Sequence, residues 1–154
     1  NSNQIPYNIR ALSHIQKAYE YLIAENFQNV VMIAHRQSAE LVFQYIKAHL
    51  GELRSPGFAL VLIEPSLPEA YLIDFSEWLG KEFQSPILDI INRSDTQGNI
   101  DAESRKLSVL MTGAQSYKQL FLTFNNNQIF DENLTRRIKS WLDANASGMK
   151  VSPY

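Results

Sequence analysis

Ten residues in the first third of the chain decide the fold, because an apolar run gives way to a helical pattern across one tight turn. They read Val30-Val31-Met32-Ile33-Ala34-His35-Arg36-Gln37-Ser38-Ala39. The run from Val30 to Ile33 is β-branched apart from Met32, as expected of a strand that is buried on both faces. A helical pattern begins at Gln37. The stretch therefore predicts a strand, a sharp turn and a helix.

The same alternation of apolar runs and helical patterns continues along the rest of the chain. Continuous apolar runs predict strands near 30–34, 58–63, 86–91 and 117–124. Apolar residues at spacings of three and four predict helices over 8–26, 37–50, 69–83 and 99–112, and a last one from Asp131. This order predicts an α/β fold, a three-layer α/β/α sandwich with a mostly parallel sheet in one domain over residues 1–154.

Composition narrows the class of protein. The 154 residues are 45% hydrophobic, which is enough for one globular domain with a core. A net charge of −2 without a basic run argues against nucleic acid as a partner. No apolar run reaches the roughly 20 residues of a transmembrane helix. The absence of cysteine excludes disulfides and thiolate chemistry, and it suits both the cytoplasm and the periplasm. Because the chain begins with Asn1, we expect a piece of a longer precursor.

Four segments carry a resemblance to a known family through their order and spacing. They are NVVMIAH at 29–35, LVLIEP at 60–65, SPILDI at 85–90 and RRIKSWL at 136–142. The chain resembles the C-terminal half of an α/β-hydrolase. More narrowly, it resembles hydrolase-like bacterial proteins of unknown function that are mostly exported in Gram-negative bacteria. The resemblance implies a partial α/β-hydrolase fold and a periplasmic or exported location, with the cytoplasm left open.

The resemblance also implies where catalytic residues would lie. In α/β-hydrolases a Gly-x-Ser-x-Gly elbow carries the nucleophile, and the acid and the histidine follow in that order. The five elbow positions here read Ala34-His35-Arg36-Gln37-Ser38, which puts Arg36 at the nucleophile position. An arginine stays protonated and cannot attack an acyl group. Asp95 lies where the acid is expected, but no histidine occurs after His49. The resemblance therefore implies a degenerate triad.

The side chains around this elbow allow several interpretations. Arg36 is expected to pair with Asp95 and to fill the pocket that holds the active site in a catalytic α/β-hydrolase. The alternative is that Arg36 binds an anion or a lipid headgroup together with the helix N-terminus at Gln37. His35 is interpreted as a packed, hydrogen-bonded histidine, with an acid/base or metal role as the alternative. Ser38 is interpreted as a helix cap, with a displaced nucleophile as the alternative. No metal or cofactor is predicted.

Two further groups of residues have a structural interpretation. Asp89 lies inside a predicted strand, and we expect it to hydrogen-bond to a neighbouring loop. Five aromatic residues have spacings that are more typical of a core than of an interface. They are Tyr19, Tyr21, Tyr45, Phe75 and Trp78.

The favoured function is a non-catalytic module that binds another protein or stabilises an assembly, because both nucleophile and base are lost while the core pattern is kept. The alternatives are a residual serine hydrolase that uses Ser38, with Asp95 and His35 in altered roles, and binding of an anion or a lipid headgroup at Arg36. In the strand order that the resemblance to α/β-hydrolases implies, the strand at 30–34 is expected at one end of the sheet and the strand at 117–124 at the other. The strand at 30–34 contains no Lys or Pro. Such an edge invites pairing, so we predict a protein partner or a second copy of the chain across it.

Overall fold

The computed structural model describes residues 7–27, 29–53, 57–68, 83–112, 117–124 and 131–146. Within these residues the chain forms four helices and four strands. In chain order they are α1 (Tyr7–Ala24), β1 (Val31–His35), α2 (Ser38–Ala48), β2 (Ala59–Ile63), β3 (Ile87–Asn92), α3 (Thr96–Thr112), β4 (Tyr117–Leu122) and α4 (Glu132–Asn145). The helix predicted over 69–83 lies outside the described residues except for its last residue.

The four strands form one parallel sheet in the order β1-β2-β3-β4. Parallel neighbours require a crossover between consecutive strands. Among the described residues, α2 lies in the connection from β1 to β2 and α3 in the connection from β3 to β4. The register places Ile33 beside Val61, and Val61 beside Leu88. The predicted α/β class is thus confirmed, and β1 and β4 lie at the two ends of the sheet, as predicted.

Helices cover the sheet on both faces. On one face, Leu60 and Leu62 of β2 pack in a cluster with Phe43 and Ile46 of α2. On the other face, Val61, Ile63 and Leu88 pack in a cluster with two residues of α4, Leu134 and Trp141. Every residue of β2 and of β3 is buried, because helices shield both sides of these central strands.

The first strand departs from this arrangement. The sequence predicts that the run from Val30 to Ile33 is buried on both faces, and this prediction is wrong for Ile33, which is 56% exposed. The second face of the sheet is covered by α4, which packs against β2. Val31 is only partly buried against that cluster. At β1 the sheet is therefore closed on one face and incompletely covered on the other.

Several local predictions need correction. Tyr21, which was predicted to lie in the core, is exposed, since α1 buries only the side that packs on α2. Ile9 and Ile23 of the same helix are exposed as well. Tyr19 and Tyr45 are buried as predicted, whereas Phe75 and Trp78 lie outside the described residues. The helix predicted from Gln37 begins one residue later, and the helix predicted from residue 99 begins at residue 96. None of the described helices is long and apolar enough to cross a membrane.

Candidate functional site

A cavity opens at the carboxyl ends of β1, β2 and β3, where ligands bind in open parallel sheets. Its volume is about 540 Å³, within the range of small-molecule sites. The wall is mostly polar, and its charged side chains come from the loops after β1 and β2 and from α3. They are Arg36, Glu64, Asp95, Asp101 and Arg105.

The sharp turn predicted after β1 is present and holds Arg36 in a left-handed backbone conformation, with φ of 51°. A residue with a Cβ atom adopts this conformation at a cost of about 1–2 kcal/mol. The turn is anchored to the loop beyond β2: the amide of Arg36 donates to the carbonyl of Ile63 at 3.0 Å, and its carbonyl accepts from the amide of Ser66 at 3.2 Å. The neighbouring strand thus holds the apex of the turn in a strained conformation.

Glu64 lies at the corresponding position after β2 and also has a positive φ, 47°. Its Oε2 is 3.4 Å from Nη2 of Arg36 and 3.7 Å from Nε2 of His35. The predicted pair between Arg36 and Asp95 is therefore wrong: the guanidinium lies against Glu64. Sequence reasoning missed Glu64 as the partner of Arg36. Its position directly after a buried strand, at the same edge as the elbow, was the available signal.

Ser38 uses its hydroxyl within the turn. Its Oγ accepts from the amide of His35 at 2.8 Å and donates to the carbonyl of the same residue at 2.9 Å. A serine has a single O–H donor, and here the backbone takes it. The imidazole of His35 is directed to Glu64, so the pair needed for a displaced nucleophile and its base is not assembled in this arrangement.

Asp95 serves the backbone of α3. Its Oδ1 accepts from the amide of Gly98 at 3.0 Å, which is the bond of an N-cap residue to the third helical residue. A Cβ atom on Gly98 would lie only 2.6 Å from Oδ2 of Asp95. Glycine at position 98 therefore leaves room for the capping side chain. Asp95, at the position expected for the catalytic acid, instead caps the N-terminus of α3.

A buried ionic network lies behind the cavity wall. Asp89 is fully buried, and its carboxylate accepts from Arg105, from Nε at 2.8 Å and from Nη2 at 3.2 Å. The hydroxyl of Tyr117 also donates to Asp89, and Nε2 of Gln119 lies 3.3 Å from it. The expected bond from Asp89 to a loop is thus wrong: its partners belong to α3 and β4.

Burial and charge act together on the pKa values of this network. Burial raises the pKa of Tyr117 well above its usual range, and the adjacent Asp89 carboxylate raises it further. For Arg105, burial alone would lower the pKa, but the carboxylate of Asp89 outweighs it and the pKa stays above its usual value. Sequence reasoning missed Arg105. The signal was Asp89 itself, because a carboxylate in a buried strand needs a cationic partner.

Residues 3–144 match a protein family described only as protein of unknown function (DUF3530). The chain belongs to the DUF3530 family. No curated protein and no solved structure matches it. The family description assigns no activity, so the chemistry of this DUF3530 chain has to be argued from its own side chains.

The cavity of the DUF3530 chain offers hydrogen bonds and charges, and the described residues at the expected triad positions do not form an assembled nucleophile and acid. Arg36 fills the apex, the hydroxyl of Ser38 is engaged by backbone, and Asp95 caps a helix. Within the described parts of the chain, no group of three or more histidine and acidic side chains is placed to hold a metal ion. This arrangement is suited to binding a polar ligand.

Proposed function

We propose that this chain is a non-catalytic α/β-hydrolase-like module that acts by binding protein. One observation supports the proposed loss of catalysis: the residue at the apex of the strained elbow is an arginine, and it pairs with Glu64 at 3.4 Å. The hydroxyl of Ser38, at the end of the elbow, is engaged by the backbone of His35. A periplasmic location, as in the proteins that the chain resembles, belongs to the same proposal.

The edge strand β1 supports protein binding. Among the described strands, β1 pairs with β2 alone. The backbone N–H and C=O groups of Val31 and Ile33 therefore face away from the sheet, whereas those of His35 bond to the hydroxyl of Ser38. Ile33, in the middle of β1, is 56% exposed. Residues 30–35 contain no Lys, Arg, Asp, Glu or Pro that would discourage another strand from pairing there. Edges of this kind are templates for strand addition.

The occupant that we propose is a second copy of the chain. A two-fold axis through Ile33 would pair two β1 strands antiparallel, with Ile33 opposite Ile33 and Val31 opposite His35. His35 would then exchange its backbone bonds to the hydroxyl of Ser38 for bonds to Val31 of the second copy. This register places no fixed charge opposite a like charge and brings exposed apolar side chains together. The two four-stranded sheets would then form one sheet of eight strands.

Replacing Ile33 with Lys tests this contact. Each copy would lose about 1.5–3 kcal/mol of apolar burial, and two lysines would face each other at the axis. We expect the unchanged chain to be dimeric by analytical ultracentrifugation and Ile33→Lys to be monomeric at the same concentration. Leu107→Lys is the matched control, since Leu107 is another exposed apolar side chain, on α3. A monomeric parent chain, or a dimer that survives Ile33→Lys but not Leu107→Lys, would contradict the proposal.

The two alternatives have weaker support. Binding of an anion or a lipid headgroup at Arg36 has to compete with Glu64, whose side chain is only 5% exposed and already holds the guanidinium. A residual hydrolase would have to release Ser38 from the backbone of His35. Turnover of short acyl esters that disappears in Ser38→Ala would establish that alternative and remove the non-catalytic proposal.

A further inference from the structure

We propose that the cavity at the carboxyl ends of β1, β2 and β3 binds a small zwitterion, a free α-amino acid. Arg105 binds its carboxylate and Asp101 binds its ammonium group. The inference rests on α3 and the buried network beneath it. It does not depend on the contact proposed at β1.

Arg105 is the anchor of this site. Its side chain lines the cavity although the residue is only 2% exposed. Asp89 holds Nε and Nη2, and Tyr117 is a further hydrogen-bond partner of the side chain. A guanidinium has five N–H donors, so donors remain for a ligand. Burying an ion pair is costly, and apolar side chains of the same size often fold as well, so fold stability is a weak reason for placing an arginine here. A fixed guanidinium at a cavity wall gives a ligand oxygen a directed donor.

Asp101 provides the opposite charge one helical turn away. Residues four apart on a helix lie on the same face, about 5–6 Å apart at their Cβ atoms, and both Asp101 and Arg105 line the cavity. They are not paired with each other, because Arg105 is turned to Asp89 and Oδ1 of Asp101 accepts from Gln97 at 2.8 Å. A carboxylate and a guanidinium are thus presented side by side to the same space.

The charges of the wall favour a zwitterion over a simple ion. Three carboxylates line the cavity, those of Glu64, Asp95 and Asp101, against the guanidinium groups of Arg36 and Arg105. Asp89, just behind the wall, compensates the charge of Arg105, so an anion finds no excess positive charge. A bare cation would be attracted to Asp101 but would make no hydrogen bond with the remaining donors of Arg105. An ammonium group and a carboxylate in one small molecule satisfy both side chains.

Titration calorimetry on the full chain with matched probes tests this site. The amino acids are L-alanine, L-lysine, L-glutamate and L-phenylalanine, which share the zwitterion and differ in the volume that they fill. We expect at least one of them to bind. Its N-acetyl derivative, which lacks the ammonium charge, and its amide, which lacks the carboxylate, should each bind at least about tenfold more weakly, since each loses a charged hydrogen bond.

Two variants of α3, Asp101→Asn and its control Glu103→Gln, test whether the amino acid binds in the cavity. Asp101→Asn keeps the shape of the side chain, and Asp101 is partly exposed, so the variant is expected to fold. We expect it to weaken binding of the amino acid about tenfold or more and to leave the already weak N-acetyl derivative unchanged. Glu103→Gln, an exposed position on the same helix, should bind as the parent does.

Three outcomes would overturn the proposal. The first is that none of the four amino acids binds to the folded chain. The second is that the amide or the N-acetyl derivative binds as well as its parent. The third is that Asp101→Asn binds the amino acid as the parent chain does. The same titration on Ile33→Lys tests amino-acid binding independently of the proposed dimer. A monomeric variant that still binds the amino acid would show that this site does not depend on dimer formation.

Discussion

Two arginine–carboxylate pairs at the same end of the sheet differ in almost every respect. In the pair behind the cavity wall, the side chains of Arg105 and Asp89 are 1% and 0% exposed, and Nε lies 2.8 Å from Oδ2. In the pair at the elbow, the side chains of Arg36 and Glu64 are 48% and 5% exposed, and the closest atoms are 3.4 Å apart. Asp89 also accepts from Tyr117, whereas Glu64 shares one oxygen between Arg36 and His35.

The difference shows how strongly burial determines the contribution of an ion pair to the free energy of unfolding. Water screens a half-exposed pair, and such pairs contribute about 0–1 kcal/mol. Removing one partner of a buried pair leaves a charge without compensation and costs about 3–5 kcal/mol. We therefore expect the pair of Asp89 and Arg105 to determine the stability of the sheet, and the pair of Arg36 and Glu64 to affect mainly the shape of the cavity wall.

The largest expected effect is that of Arg105→Met, which leaves Asp89 buried without its cation. We expect a loss of about 3–5 kcal/mol in the free energy of unfolding, measured by urea denaturation. Replacing both partners, Asp89→Leu with Arg105→Met, should recover part of that loss because no charge is left buried, while the hydroxyl of Tyr117 loses its acceptor. A single variant that costs less than about 1 kcal/mol would show that the buried pair behaves like an exposed one.

The second expected effect is a loss of stability in alkaline solution. Burial, with Asp89 adding to it, raises the pKa of Tyr117, and burial raises the pKa of Tyr45 to about 12. The pKa of a tyrosine in the unfolded chain is about 10. Above that pH the unfolded chain therefore releases protons that the folded chain keeps. Stability is therefore complete below about pH 10 and falls as the pH rises further, by up to about 1.4 kcal/mol per pH unit for each tyrosine.

Urea denaturation at several pH values between 9 and 12 measures this slope. Tyr117→Phe should make the slope shallower, because it removes the titrating group that faces Asp89. Arg36→Ala should leave the slope as in the parent chain, since it alters only the pair at the elbow. Equal slopes in Tyr117→Phe and the parent would remove the titration of Tyr117 from the explanation.

The sheet could be predicted from the sequence because its signals are local. Continuous apolar runs indicated β2 and β3, and the strand order implied by the resemblance to α/β-hydrolases indicated that β1 and β4 lie at the ends. The exposure of Ile33 was not accessible in this way, because it depends on how far α4 reaches across the second face. A pattern within one strand does not contain that information.

The site could be predicted only in part, because its pairs depend on register. Arg36 was identified by its place in the elbow, but its partner Glu64 is 28 residues away and meets it only because both follow neighbouring strands. Asp89 was identified, yet its contact with Gln119 follows from the pairing of β3 with β4, where the two residues are register partners. The position of Asp95 suggested a catalytic acid, whereas its bond to Gly98 is that of a helix cap.

The smallest expected effect concerns Arg36, at the apex of the elbow. Two substitutions separate the contribution of its charge to stability from that of its backbone conformation. Arg36→Ala removes the contact with Glu64 and keeps a Cβ atom at a φ of 51°. The loss should be below about 1 kcal/mol, because the pair is half-exposed. Arg36→Gly removes the same contact, but glycine adopts a positive φ without steric cost. We therefore expect the Gly variant to be about 1 kcal/mol more stable than the Ala variant in urea denaturation.

The neighbouring Gln37 gives the matched control for this comparison. It has φ of −61° and ψ of −24°, an ordinary helical conformation in which glycine has no steric advantage. There the order should reverse, with Gln37→Gly about 0.5–1 kcal/mol less stable than Gln37→Ala, because glycine loses more backbone entropy on folding. If Arg36→Gly were also the less stable member of its pair, the apex would not be strained. The arginine would then be held there by its contact with Glu64 alone, and the exposed pair would contribute more than its exposure allows.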